Sequence, residues 1–273
     1  MDRRTFLKYA ARGTANALVL GTAYSLFEAK WAHVVYDRIE VPGIPEAFRG
    51  LRVALLTDLH HGPWTGLPYI HEVARQAAET NPDVILLGGD YCHNGPAYIE
   101  PCIDALRSLK APMGVYAVMG NHDHFQGSKI TRGAFDKYGV RELNNEGVWL
   151  TRAGQRLRLG GVDDYFCGSP QLQPALAGMK DNERGLLLCH NPEFAEKVDD
   201  PRVGLMLCGH THGGQVDFPL IGAPVVHSPK EKKFLHGLFK TDTTQLFVSR
   251  GLGTTTPPVR FCCRPEINLI ELA

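Results

Sequence analysis

The chain has no excess of either charge: 29 Lys and Arg balance 29 Asp and Glu over 273 residues. Without a basic surplus the totals give no reason to expect nucleic acid or a membrane surface as a partner, and no specific nucleic-acid binding is inferred. Cys-x-x-Cys spacing is absent too. The seven cysteines cannot all pair, and several sit beside apolar runs, where a free thiol behaves as a small buried hydrophobe. Reduced structural thiols are therefore expected in place of a disulfide framework, an expectation at odds with an exported protein. There is no internal repeat, low-complexity tract or interdomain linker, so a single catalytic domain is expected over residues 45–273. A comfortable membrane span is missing as well: the apolar segment from Ala10 to Phe27 is short and interrupted by Arg12 and Asn16.

What is present begins at the amino terminus. Asp2-Arg3-Arg4-Thr5-Phe6-Leu7-Lys8 places paired arginines ahead of the apolar segment, and Ala23-Tyr24-Ser25 offers small residues at signal-peptidase spacing. Residues 1–30 resemble a twin-arginine export signal, which carries folded proteins to the periplasm or cell envelope and implies the twin-arginine machinery as a partner. An amphipathic amino-terminal helix and an uncleaved, membrane-associated anchor are the other readings.

From Arg52 the chain becomes regular, with 44% hydrophobic residues to build a sizeable core. Val53 to Thr57, Val84 to Leu87, Val115 to Met119, Leu186 to Cys189 and Val203 to Leu207 are short apolar runs that end abruptly in polar or glycine-rich turns, as buried strands do. Helical spacing runs from Leu67 to Glu79 and from about Tyr98 to Leu109. Beyond Met119 the sequence loosens into turns, with short strand candidates at Gly147 to Leu150 and Leu157 to Val162, then late strands at Gln245 to Ser249 and Ile267 to Leu272. Alternation early and strands late predict a sheet sandwich covered by helices.

The turns that end the five runs carry Asp58 with His60, Asp90, Asn121 with His122 and Asp123, His190, and His210 with His212. One such turn means little; five in series are hard to assign to chance. Open α/β sheets place ligands at the carboxyl ends of their strands, and residues two apart on an extended chain, such as His210 and His212, can face one pocket. Oxygen and imidazole donors without cysteine suit manganese, iron or zinc, and a carboxylate can bridge two such ions.

The order Asp-x-His, Gly-Asp, Gly-Asn-His-Asp, His, Gly-His-Thr-His-Gly-Gly-Gln resembles the calcineurin-like metallophosphoesterases, in particular a bacterial exported or membrane-associated branch. The resemblance covers about Leu51 to Leu272 and implies an α/β, four-layer αββα sandwich with two divalent metal ions. It places Asp58, His60, Asp90 and His212 on one ion, with Asp90 bridging to a second completed by Asn121, His190 and His210. His122 would protonate the leaving oxygen, and Asp123 would orient that imidazole. A hydroxide bridging the ions would attack a phosphodiester or phosphomonoester in line, with no serine or cysteine nucleophile required. Two alternatives stand beside this reading. One is a pyrophosphohydrolase acting on a nucleotide-linked lipid precursor of the UDP-diacylglucosamine type, at the cytoplasmic face of the inner membrane. The other is a metal-binding scaffold without turnover.

Other residues near the motifs have open readings. His61, His93 and His124 either touch substrate or support the turns. Asp163 and Asp164 read as a strand-end turn. Arg260, in the loop from Thr254 with Pro257 and Pro258, either meets a phosphate or anchors that loop. Trp64, Tyr91, Tyr165 and Phe166 either shape a cleft or pack in the core.

Overall fold

A computed structural model describes residues 2–226 and 231–273. Its strands are β1 (His33–Ile39), β2 (Arg52–Leu56), β3 (Val84–Leu87), β4 (Val115–Ala117), β5 (Arg141–Glu142), β6 (Glu146–Arg152), β7 (Gln155–Gly161), β8 (Gly185–Leu188), β9 (Val203–Cys208), β10 (Gly237–Lys240), β11 (Gln245–Val248) and β12 (Glu266–Leu272). The helices are α1 (Arg3–Glu28), α2 (Leu67–Glu79), α3 (Ile99–Leu106), α4 (Asn121–Tyr138) and the single turn α5 (Leu172–Ala175).

The strands form two six-stranded sheets, ordered β1-β12-β2-β3-β4-β5 and β10-β11-β9-β8-β7-β6. Alternation along each strand explains how the sheets stack. In β2, Val53 and Leu55 face inward to meet Leu186, Leu188, Leu205 and Leu207 of the other sheet, while Ala54 and Leu56 face outward against α2 and α3. A strand buried on both faces must be apolar throughout, which is why these strands read as unbroken runs. The outer face of the second sheet is covered by α5 and helical turns that contribute Leu176, Phe194 and Phe234. The result is the expected four-layer αββα sandwich.

Strands β2 to β5 run parallel, as do β7, β8, β9 and β11. The turns after β2, β3, β4, β8 and β9 therefore carry the five motifs at the carboxyl ends of parallel strands.

Several elements depart from expectation. The stretch after Met119, read as turns, holds the 18-residue α4, kinked at Gly127 where φ is +145°. Two glycines and a sparse apolar face concealed it. β1 pairs with β12 in parallel, so the catalytic body reaches back to His33, ahead of the boundary expected at residue 45. β1 is an edge strand with one half-exposed face and lacks a continuous apolar run. β10 is a second edge strand that was not anticipated.

Helix α1 is largely exposed, and no described helix is long and apolar enough to cross a membrane. Its last turn is docked. The buried Glu28 carboxylate accepts the backbone N–H groups of Cys262 (3.1 Å) and Cys263 (2.6 Å), and the Ser25 carbonyl accepts from the Arg260 N–H (3.0 Å). All seven cysteines are free and five are buried.

Glu28→Ala leaves two amides, that of Cys263 buried and that of Cys262 part-buried, without their acceptor, costing about 1–3 kcal/mol. The thermal unfolding midpoint, followed by circular dichroism, should fall by roughly 3–8 °C, with a smaller fall for Glu28→Gln. An unchanged midpoint for both would mean that the helix end does not hold the 260–263 loop.

Candidate metal centre

The turns after the parallel strands bring six of the seven expected donors into one region, and the seventh, Asn121, follows Gly120, whose backbone abuts Asp90 and His190. Asp58, His60, Asp90, His190, His210 and His212 are buried. Ligand atoms of Asp58, His60 and His212 lie within 4.8 Å of one another, and so do those of Asp90, His190 and His210. His60 Nε2 faces His212 Nε2 at 3.0 Å, and His210 Nδ1 faces His190 Nε2 at 3.2 Å. Asp90 Oδ2 lies between the two groups, 3.5 Å from His60 Nε2 and 3.3 Å from His190 Nε2. Asp58 Oδ1 stands slightly farther off, 3.6 Å from His212 Nε2 and 4.0 Å from His190 Nε2.

Turn geometry aims these side chains. Asp58, His60, Asp90, His210 and His212 all have φ between +46° and +73°, the left-handed region that L-residues seldom occupy. Strain of this kind concentrates at functional sites. Close approach of the backbone adds a second constraint. A Cβ on Gly120 would come within 2.2 Å of Asp90 Oδ1 and 2.7 Å of His190 Nε2, and one on Gly209 within 2.3 Å of Asp58 Oδ2.

A shell of hydrogen bonds fixes the donors. Thr57 Oγ1 donates to Asp58 Oδ2 (2.8 Å), and the His210 N–H reaches both Asp58 oxygens. The His122 N–H donates to Asp90 Oδ1 (2.8 Å). His190 Nδ1 lies 2.8 Å from the Gly88 carbonyl, which can only accept, so Nδ1 carries the hydrogen and Nε2 is turned toward the carboxylates.

The electrostatics match a cation site. Burial, with neighbouring imidazoles and against the pull of Asp90, depresses the pKa values of His60 and His212 far below the imidazole norm, leaving lone pairs available. Burial opposes charge on His190 as well, but Asp90 and Asp58 outweigh it and hold that pKa well above normal. For Asp90, burial is outweighed by His190, His60 and His122, and its pKa is low; for Asp58, burial dominates and its pKa is raised. The charge on Asp90 adds to the rise at Asp58. Asn121 Oδ1 and His60 Nδ1 are buried without a hydrogen-bond partner among the described residues. Facing imidazole nitrogens, paired carboxylates and an unpartnered amide oxygen form a donor set that fits divalent cations.

Several expectations change at the edges. Asp123 was expected to orient the His122 ring; its carboxylate instead accepts the N–H groups of Asp90 (2.7 Å), Tyr91 (2.9 Å) and Gly120 (2.9 Å). It stands at the start of α4, where a carboxylate satisfies amides that have no partner within the helix. Burial, then Asp90, raises its pKa to about 7. The polar contact of the His122 ring is with His93, Nδ1 to Nδ1 at 3.3 Å. His93 stands three residues after Asp90, and that spacing was its only signal in the sequence.

His61 is buried, with Nδ1 2.7 Å from the Thr65 carbonyl, and supports its turn. His124 Nε2 pairs with Asp163 Oδ1 at 2.9 Å, tying α4 to the turn after β7; that hydrogen bond raises the His124 pKa. Asp164 accepts the N–H groups of Phe166 and Cys167. Arg260 is fully buried and donates to the carbonyls of Gly253, Arg250 and Cys263, which settles its role as the anchor of the 254–260 loop. Tyr91 is core, Tyr165 packs on Phe194, and Trp64 is exposed. Phe166 and Phe125 are exposed rings set against His210 (5.3 Å) and His122 (6.1 Å). Phe125 carried no signal in the sequence.

Residues 51–214 match the family model described as calcineurin-like phosphoesterase. The chain is similar to the uncharacterized metallophosphoesterase YkuE of Bacillus subtilis, 33% identical over 100% of this chain and 98% of the relative. It is also similar to phosphodiesterase YaeI of Escherichia coli, 29% identical over 100% of this chain and 99% of the relative. A transmembrane protein with metallophosphoesterase domain from Danio rerio is 30% identical over 96% of this chain and 63% of the relative.

Gly120→Ala should push Asp90 and His190 out of line and weaken metal retention by roughly 10- to 100-fold, read by chelator competition. Gly133→Ala on the same helix, where a Cβ meets nothing within 4 Å, is the control and should retain metal as the parent does. Equal retention by both variants would show that the tight packing at Gly120 does not set the donor geometry.

Proposed function

Because this chain belongs to the calcineurin-like phosphoesterase family and is a metal-dependent phosphoester hydrolase, we propose that it works through two cations sharing Asp90. Asp58, His60 and His212 would complete one site, and Asn121, His190 and His210 the other. The position of Asp90 Oδ2 between the two histidine groups carries this reading. Oxygen and imidazole donors suit manganese, iron or zinc. Two ions held by these residues would supply an activated water at neutral pH and neutralise charge on the phosphoryl oxygens.

The protein's own residues do the rest. Asp123 holds the backbone of Asp90, fixing the shared carboxylate. The His122 main chain is tied to Asp90 Oδ1, which keeps its ring beside His60 at a centroid distance of 4.7 Å. His93 faces His122 Nδ1, so His122 Nε2 is the atom left to give a proton to the leaving oxygen of a phosphodiester or phosphomonoester. An intact proton donor beside a full donor set argues against a scaffold without turnover.

A second reading, a lipid-linked pyrophosphate substrate, is supported by an apolar cavity of about 600 Å³ between the end of α1 and the site loops, lined by Phe27, Trp64, Tyr69 and Pro258 among others. Arg3 and Arg4 open α1 and are exposed, which supports twin-arginine export with α1 as leader or anchor. Residues 1–30 would then form the targeting segment and the sandwich the catalytic domain.

On a soluble aryl phosphodiester and monoester with added manganese, Asp90→Ala should lose both metal and rate. His122→Ala should keep metal while turnover falls by roughly 10²- to 10⁴-fold. His93→Ala should cost less, and His93→Ala with His122→Ala should be no slower than His122→Ala alone, because the two act as a unit. Parental rates in both Asp90→Ala and His122→Ala would end the proposal. Replacing Arg3 and Arg4 by lysine should trap the chain in the cytoplasmic fraction; unchanged fractionation would exclude the twin-arginine route.

A further inference from the structure

We propose that the chain docks on anionic lipid through α1 together with the apolar loop at residues 218–226. This would bring the metal centre to phosphate groups held at a bilayer surface; what the centre does there rests on the proposed function, whereas the docking does not.

The formal charge of zero hides an uneven distribution. Residues 2–27 hold Arg3, Arg4, Lys8 and Arg12 against the single acid Asp2, and all four cations are exposed. On the same helix Leu18, Val19 and Leu20 are 66–70% exposed. Basic and apolar side chains on one exposed helix are complementary to an anionic lipid interface.

The loop continues that surface. Residues 218–226 contain no charged side chain, and Leu220 is fully exposed, with Ile221 at 77% and Val225 at 75%. The turn closes on itself. The Phe218 N–H donates to the Gly222 carbonyl (3.2 Å), and the N–H groups of Ile221 (3.1 Å) and Gly222 (2.8 Å) donate to the Phe218 carbonyl. Such a turn presents its side chains while five of its backbone polar groups are already satisfied, which lowers the cost of entering an apolar phase. Leu220 is held there at φ +71°, a conformation that an unconstrained leucine avoids.

Two contacts tie the loop to the rest of the surface and to the centre. Phe218 stacks on Phe261 (5.3 Å), which meets Tyr24 of α1 (5.8 Å), and α1 and the loop share a cavity of about 340 Å³. Ala223 packs so closely on Gly214 that a Cβ there would come within 2.5 Å, and Gly214 is two residues beyond His212. A bilayer that receives Leu220 and Ile221 therefore lies beside the end of the Gly-His-Thr-His motif. A soluble protein partner would need acidic complementarity to α1 and offers no comparable reason for a self-satisfied turn.

Co-sedimentation of the full chain with vesicles tests the proposal, using phosphatidylcholine alone or mixed with phosphatidylglycerol. The parent should bind the anionic vesicles about tenfold or more tightly than the neutral ones, a preference lost as salt rises. Leu220→Asp with Ile221→Asp should bind anionic vesicles at least about tenfold more weakly, and Arg3→Ala with Arg4→Ala several-fold more weakly. A parent that remains in the supernatant with both vesicle types, or a loop variant that pellets as the parent does, overturns the proposal. So does vesicle-independent self-association abolished by the loop variant, which would assign the surface to a second copy. Hydrolysis of a soluble aryl phosphodiester by the parent reports on the catalytic proposal separately.

Discussion

The structure depends on the placement of one buried carboxylate. Asp90 lies between two groups of imidazoles, and nearly everything around it serves to keep it there. Asp123 holds its main chain, the His122 amide holds Oδ1, and Gly120 makes room where any side chain would collide. A buried carboxylate is costly unless charge or hydrogen bonds compensate it. The imidazoles of His190 and His60 supply that compensation within the protein, and the same groups are the donors a cation would use. Stability and function draw on the same contacts.

The double sheet is what makes this placement affordable. Parallel strands from both sheets end at one edge, so residues from Asp58 to His212 meet without a long structureless excursion of the chain. Five of the converging residues take left-handed backbone conformations, at a cost of about 1–2 kcal/mol each. The apolar layers between the sheets and beneath α2 and α3 offset that strain, and they also hold the turns stiff. The docked end of α1 extends the same logic: Glu28 fixes the 260–263 loop, Arg260 fixes Gly253, and the Gly253 N–H is bonded to the Asp58 carbonyl.

Much of this was legible in the sequence, for a physical reason. Strands buried on both faces must be apolar throughout, so β2, β3, β8 and β9 announced themselves, and so did the polar turns that end them. α2 was visible over its whole length because one stripe of Ile70, Val73, Ala74 and Ala77 faces the core. Edge strands and interrupted helices were not visible. β1 has a half-exposed face, and α4 carries Gly127 and Gly133. The role of Asp123 could not be read either, because its neighbour in sequence is His122 while its partners are main-chain amides across a turn. His93 acquired its partner only through folding. His190 and the paired histidines were read from their position at strand ends, and folding brings their ring nitrogens face to face with one another and with His60.

The claim that a shared carboxylate joins two cation sites is tested most directly by diffraction at the metal absorption edge from manganese-loaded crystals. Two anomalous peaks about 3.5–4 Å apart per chain are expected, with Asp90 touching both, His60 beside one and His190 beside the other. A single peak, or two peaks with Asp90 bound to only one, would contradict it.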